Sequence, residues 1–394
     1  MLPSYYEYYN PVKIVAGNKA LYNLPSELNE LGSNRPMVIT DKGIVKAGLI
    51  KLVKKSFAGS KMTIGAMFDG VPPDSSKKIV NKISKIYRKN KCDSIVAVGG
   101  GSVIDTAKGV NILITEDSDD LLKFAGAEML KKPMKPLIIV PTTAGTGSEV
   151  TIAAIISDLE KNIKMSFVSC HLLPKVAILD PEMTLSLPPA ITAATGMDAL
   201  SHAVEGYIGL QKNPISDAYS FAAIELIRKN LIRAVQDSNN PFVRFAMANA
   251  AVMAGASFSN SMVGMAHSLG HATGGVCHVP HGIAVNIFLP FALEYNLSKC
   301  EEDIAKLLLP MAGAEEYART RPTERAMKTI AHIRELQKAL NDLCGLPVTL
   351  KQADVPRNEL EIIAEVAVND PSIIMNPREM DKNDALEILY HAFE

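Results

Sequence analysis

Ser94-Ile-Val-Ala-Val-Gly-Gly-Gly-Ser-Val-Ile-Asp105 runs from a short, wholly apolar segment into a glycine triplet and then into residues that open a helix. An uninterrupted apolar run of this length is what a strand buried on both faces requires. Similar runs recur upstream and downstream. Pro36-Met-Val-Ile-Thr-Asp41 ends at an acidic residue, and Met62 to Asp69 is closed by the turn-forming Gly70-Val-Pro-Pro-Asp74. Leu137-Ile-Ile-Val140 leads into Pro141-Thr-Thr-Ala-Gly-Thr-Gly-Ser-Glu149, and Val176-Ala-Ile-Leu179 precedes Asp180-Pro181. Between them lie amphipathic stretches. Ile79, Val80, Ile83 and Ile86 fall at helical spacing within Ser75–Asn90, and a second helix is expected over Ser102–Ile112. Strands alternating with helices predict an α/β domain built on a parallel sheet.

The pattern changes near Leu185-Ser-Leu-Pro188-Pro189. Beyond it come long Ala-, Leu- and Met-rich segments with few strand signals. Helices are expected over 191–208, 215–235, 243–258, 323–343 and 381–393, with Glu359 and Asp381 near helix starts. The reading is two domains: residues 1–185, a nucleotide-binding α/β domain, and residues 186–394, an all-α domain. The length of 394 residues agrees with two cores. Apolar residues make up 47% and charged residues 21%, ordinary for a globular protein. A net charge of −1 gives no general attraction to nucleic acid or membrane, so neither partner is expected. Five scattered cysteines without a Cys-x-x-Cys pair argue against a disulfide framework or structural zinc site. With no secretory signal and no membrane-length apolar run, the chain reads as cytoplasmic.

Three sets of residues can carry chemistry. The first is Gly99-Gly100-Gly101-Ser102, where glycines let a backbone approach a pyrophosphate and a helix N-terminus offers N–H groups. It is not the usual Gly-x-Gly-x-x-Gly. Asp41, at the end of an earlier strand, has two readings. It either accepts hydrogen bonds from an adenosine ribose, disfavouring a 2′-phosphate, or merely caps the next helix. The second set is the hydroxyl-rich loop of Thr142, Thr143, Thr146 and Ser148, placed where α/β sheets bind ligands. The third is histidine-rich. Of eight histidines in the chain, four fall within His267–His281, at 267, 271, 278 and 281. Asp198 and His202 stand four apart on one helical face. A carboxylate and an imidazole, joined by two imidazoles from the later segment, make an N3O set for Fe²⁺, Zn²⁺, Co²⁺, Ni²⁺ or Mn²⁺.

With these residues in view, the whole chain resembles the iron-containing (group III) alcohol dehydrogenase family. The motifs that carry the resemblance are Gly99–Ser102 with Asp105, Pro141–Glu149, Ala194-Thr-Gly-Met-Asp198-Ala-Leu-Ser-His202-Ala-Val-Glu205, His267–Gly282 and Asn376-Pro-Arg378. The resemblance implies metal ligation by Asp198, His202, His267 and His281, with Fe²⁺ as the family metal. It implies NAD contacts at Asp41, Asp74, Gly100, Gly101, Ser102, Asp105, Thr142, Thr143, Thr146, Ser148 and Lys164. Asp74 stands where members often have Asn. His271 is either a proton shuttle or an orienting neighbour of a ligand, and Phe258 either lines a substrate pocket or packs in the core. The segment holding Cys277 and His278 is variable, and neither is assigned a ligand role.

The expected reaction is reversible hydride transfer between a small primary alcohol or diol and NAD, in a protein that forms homodimers or larger homo-oligomers. The alternative is a non-redox, metal-dependent lyase of the related dehydroquinate synthase architecture, which calls for a more basic, phosphate-gripping site. Few Lys or Arg lie near the histidines here. A metal- or nucleotide-binding protein without turnover is a third reading.

Overall fold

The computed structural model describes residues 3–158 and 163–394, and the chain divides into two compact units. Tyr9–Ser186 form the first, and Leu187–Glu394 with residues 3–8 form the second.

The first unit contains nine strands and five α-helices among its described residues. In chain order these are β1 (Lys13–Ala16), α1 (Leu24–Glu30), β2 (Pro36–Ile39), α2 (Lys42–Lys46), α3 (Leu49–Ser56), β3 (Ala66–Phe68), α4 (Lys77–Lys89), β4 (Ser94–Gly99) and α5 (Gly101–Thr115). They continue with β5 (Gly126–Ala127), β6 (Leu137–Pro141), β7 (Ala153–Asp158), β8 (Ile163–Val168) and β9 (Val176–Leu179). Six strands make one parallel sheet in the order β1-β9-β6-β4-β2-β3. The apolar runs are continuous because the sheet is covered on both faces. Met37, Ile39, Ile95, Ala97, Leu137 and Ile139 face the cluster that includes Val80 and Ile83 of α4 and Ile104 and Ala107 of α5. Val38, Val96, Val98, Ile138 and Val140 face the opposite cluster with Leu28 of α1 and Val53 of α3. Each Val, Leu, Ile or Met among them, fully buried, contributes about 1.5–3 kcal/mol.

Only Ala66–Phe68 of the expected run Met62–Asp69 is a strand, because β3 is a half-buried edge that pairs with β2 alone. A three-stranded sheet, β5-β8-β7, was not anticipated. In it β7 and β8 pair antiparallel, from Ala153 opposite Val168 to Asp158 opposite Ile163.

The second unit is helical throughout: α6 (Pro189–Ile208), α7 (Pro214–Gln236), α8 (Pro241–Ser261), α9 (Met265–Cys277), α10 (His281–Lys306), α11 (Leu308–Ala312), α12 (Ala314–Arg319), α13 (Arg325–Cys344), α14 (Leu360–Ala367) and α15 (Lys382–His391). Local chemistry sets the starts. Asn213 accepts from Ile215 N and Ser216 N ahead of Pro214, and Asn240 likewise caps α8 ahead of Pro241. Asp381 forms a reciprocal capping box with Asp384. Helix α6 is buried on nearly all sides and packs against α7, α8 and α10. Among the described residues no helix is long and apolar enough to cross a membrane.

Candidate metal centre and nucleotide loops

Helix α6 brings Asp198 and His202 to one face, buried in the middle of the second unit. Helix α8 ends at Ser261, and the chain re-enters α9 at Met265, which places His267 in the first turn of the new helix. Helix α9 stops at His278, whose left-handed backbone (φ 59°) lets the chain turn and begin α10 at His281. His278 is therefore a turn residue. The start of α10 lies directly on α6. A Cβ on Gly282 would come within 2.6 Å of Ala194 O, so only glycine permits this approach.

The result is a convergence of four donors. One ligand atom from each of Asp198, His202, His267 and His281 lies within 4.8 Å of the others. Asp198 Oδ1 is 3.8 Å from His202 Nδ1, 3.8 Å from His267 Nε2 and 3.3 Å from His281 Nε2. Asp198, His202 and His267 are almost fully buried, whereas 39% of the His281 side chain is exposed, so the set opens on that side.

Whether these residues suit a metal is decided by their unmet bonding. Eight buried side-chain polar atoms among the described residues lack a hydrogen-bond partner, and three of them are Asp198 Oδ1, His202 Nδ1 and His267 Nε2. Leaving three such atoms unpaired in one spot costs several kcal/mol in total unless something else binds them. Protonation is no remedy. Burial drives His202 down to about 3, and burial followed by the nearby His281 drives His267 well below its ordinary value. Burial works against ionising Asp198, but the three imidazoles together outweigh it and hold its carboxyl far below the usual range. An ionised carboxylate beside the neutral, buried imidazoles of His202 and His267 is the pairing of protonation states that metal ligation demands. The residues fit a divalent ion.

Neighbours hold these rings in place. Phe258 of α8 stacks on His202, with ring centroids 4.1 Å apart and planes within 14°. Glu205, one turn beyond His202, lies in hydrogen-bond contact with His267 Nδ1, 2.5 Å from its Oε2. His271 sits one turn past His267, stacked on His281 at 5.2 Å, and its Nδ1 bonds Asp370 Oδ2 at 3.0 Å. Asp370 is itself fixed by Ser372 N at 2.8 Å. Neither Asp370 nor the role of Glu205 was legible beforehand. Glu205 did carry a signal, since positions 198, 202 and 205 fall on one helical face.

The nucleotide candidates belong to the first unit. Strands β2, β4 and β6 are neighbours in a parallel sheet, so their carboxyl ends place Asp41, Gly99–Ser102 and Thr142–Ser148 along one edge. Thr142 N bonds Gly99 O at 3.1 Å, and a Cβ on Gly101 would meet Thr146 Cγ2 at 2.9 Å, so the glycine and hydroxyl loops pack together. Thr142 Oγ1 is buried without a partner, a group suited to a bound nucleotide oxygen. Ser102 Oγ contacts Pro73 O, next to the exposed Asp74. Asp41 Oδ1 accepts from Ile44 N at 2.9 Å, so it caps α2. Lys164 is exposed on β8, in the antiparallel hairpin.

Asp105 lies beneath the hydroxyl loop. Its Oδ1 accepts from Ser148 Oγ at 2.9 Å and its Oδ2 from Ile155 N at 3.0 Å, so the carboxylate is engaged by protein donors. Beside it is a residue that sequence reasoning passed over. Lys108 is fully buried and donates to Ser148 Oγ at 3.2 Å, Thr151 O at 2.8 Å and Ala153 O at 2.7 Å. Burial pulls this ammonium down to about 8, against the attraction of Asp105 and Glu149. Burial pushes Glu149 up to about 7. The signal of Lys108 was that it is the lone charge among ten buried positions of α5.

Comparison with known proteins agrees with this arrangement in both halves. Residues 11–181 match the family described as "Iron-containing alcohol dehydrogenase", and residues 192–393 match "Fe-containing alcohol dehydrogenase family, C-terminal". The chain is 36% identical over 393 residues to the 1,3-propanediol dehydrogenase of Klebsiella pneumoniae, covering 98% of this chain and 99% of that one. It is 32% identical over 388 residues to the NAD-dependent methanol dehydrogenase of Bacillus methanolicus, again with 98% and 99% coverage. Among solved structures, a 1,3-propanediol oxidoreductase superposes with a TM-score of 0.94 at 35% identity, covering 99% of this chain and 100% of the other. These matches favour an oxidoreductase acting on CH–OH groups over the lyase alternative. The chain belongs to the iron-containing alcohol dehydrogenase family.

Proposed function

We propose that the protein is a metal-dependent, NAD-linked dehydrogenase that interconverts a small primary alcohol or diol with its aldehyde. The observation that carries this is the convergence of three unpartnered buried atoms, from Asp198, His202 and His267, beside the open His281. A divalent metal held by these four residues, Fe²⁺ by family and Zn²⁺ as the alternative, supplies Lewis acidity toward a hydroxyl or carbonyl oxygen. Asp198 contributes the single negative charge of the set, and burial keeps His202 and His267 neutral so that their lone pairs are available.

NAD is assigned to the first unit. Gly100, Gly101 and Ser102 open α5 and suit a pyrophosphate. Thr142, Thr143, Thr146 and Ser148 supply hydroxyls for ribose and phosphate oxygens, while Asp74 and Lys164 are outer contacts. Asp41 disfavours a 2′-phosphate, and its use as a helix cap is compatible with that role because a carboxylate offers two oxygens. Asp105 serves by holding Ser148 rather than by touching the nucleotide. His271 is the proton carrier: Asp370 engages its Nδ1, and 29% of its side chain reaches solvent, leaving Nε2 to exchange a proton with the reacting hydroxyl. The relatives named 1,3-propanediol dehydrogenase and methanol dehydrogenase support a short alcohol or diol as the substrate. A homo-oligomeric assembly, as the family resemblance implies, belongs to the same proposal.

The test is a substrate panel. Protein reconstituted separately with Fe²⁺ and Zn²⁺ should oxidise short primary alcohols and diols with NAD, with one metal clearly preferred. Equal inactivity of both forms on the whole panel would remove the reading.

A further inference from the structure

The motif Asp198–Glu205 ends in a carboxylate that the donor set does not use, and its surroundings give it a purpose. Glu205 is 3% exposed, so its two oxygens must find their partners within the protein. Its two oxygens do different work. Oε1 accepts the N–H of Ala266 at 2.6 Å, in the first turn of α9, where a backbone donor has no partner within its own helix. Oε2 receives Nδ1 of His267 at 2.5 Å. One side chain from α6 thus pins both the start of α9 and the ring that α9 delivers.

We propose that Glu205 is the positioning residue of the metal centre: it fixes His267 as the Nδ1–H tautomer and so commits Nε2 as the ligand atom. The inference rests on the metal reading above. A neutral imidazole carries one N–H, and a carboxylate can only accept, so the proton belongs on Nδ1. The lone pair then lies on Nε2, which is the buried, unpartnered atom 3.8 Å from Asp198 Oδ1. The same contact stops the ring rotating, since turning it would leave both Oε2 and Nδ1 unpaired in a dry site. Helix α6 therefore supplies two donors and the group that aims a third, which couples α6 to α9 through the centre.

Glu205→Gln separates this role from simple capping. Its amide oxygen can still accept from Ala266 N, but its NH2 faces Nδ1 and drives the proton to Nε2, where it blocks ligation. The variant should bind Zn²⁺ about 10- to 100-fold more weakly than the parent in competition with a chromophoric chelator. The absorption bands of the Co²⁺ form should shift as well, while the melting temperature of the metal-free protein stays close to the parent's. Zn²⁺ affinity within about twofold of the parent, with an unchanged Co²⁺ spectrum, overturns the proposal. A variant that fails to fold leaves a direct measurement on the parent. With ¹⁵N-histidine labelling, the metal-free protein should show His267 protonated at Nδ1, and an Nε2–H signal overturns the assignment. Failure of the parent itself to bind Zn²⁺ or Co²⁺ would instead defeat the metal reading on which this inference stands.

Discussion

Asp198 Oδ1 and His281 Nε2 stand 3.3 Å apart, although one belongs to the buried middle of α6 and the other to the first residue of α10. What permits the approach is Gly282, packed on the carbonyl of Ala194. Gly282→Ala should push the start of α10 off α6, at a cost of about 1–3 kcal/mol for overpacking. His281 moves with it, so metal affinity should fall by more than tenfold even in the fraction that remains folded. A variant with parental melting temperature and parental Zn²⁺ affinity would show that the contact is slack.

Removing the metal should cost stability as well as activity, because the ion binds the folded chain and relieves the unpaired atoms of Asp198, His202 and His267. At a free metal concentration about 1,000-fold above the dissociation constant the gain is about 4 kcal/mol. Stripping the holoprotein with a chelator should lower its melting temperature by several degrees, and re-addition should restore it. Identical melting curves with and without metal would contradict the assignment.

Asp41 now calls for a more careful substitution than removal of the side chain. Because it caps α2 through Ile44 N, Asp41→Gly changes both a cap and a charge. Asp41→Ser keeps a capping oxygen and removes the charge alone. The ratio of kcat/KM for NAD over NADP should shrink about tenfold or more, with the melting temperature nearly unchanged. An unaltered ratio would leave Asp41 with no role beyond its cap.

Lys108 gives a pH signature. Its ordinary value of 10.5 falls to about 8 in the folded protein, with Asp105 and Glu149 as the charged groups that oppose the shift. Between those two pH values the unfolded chain binds more protons than the folded one, so the contribution of this residue to stability grows as pH rises from about 8 to 10.5. In Lys108→Met that rise is absent, whatever constant offset the lost bonds to Ser148 and Thr151 introduce. Denaturant melts of both proteins at pH 8 and pH 10 should show the parent gaining about 2 kcal/mol relative to the variant. A difference that does not change with pH would mean Lys108 keeps its ordinary value.

The parts of this molecule that could be read in advance are those whose physics is local. Strands β4, β6 and β9 are built on short apolar runs because both faces of the sheet are covered, and the expected limits for β9 and the first four residues of β6 match those observed. Helices α6, α7 and α8 were expected from their Ala-, Leu- and Met-rich runs, with starts one or two residues later than those observed. The hairpin of β7 and β8 was missed because its strands lie in a small separate sheet, where pairing between distant residues rather than an apolar run defines them. The same holds for the site. The spacing of Asp198 and His202 places them together on any helix, but the Glu205–His267 and Asp370–His271 pairs exist only once α6, α9 and the segment after α14 have folded against one another. Lys108 was hidden differently, as the one charge among the buried positions of a helix that otherwise reads as core.

The most direct test of the account mixes metal-loaded parent protein with NADH and short aldehydes, beside Asp198→Ala prepared in the same way. The account predicts aldehyde-dependent NADH consumption by the parent that disappears in the variant together with its bound metal. No consumption by the metal-loaded parent on any aldehyde, or undiminished turnover by a metal-free Asp198→Ala, would contradict it.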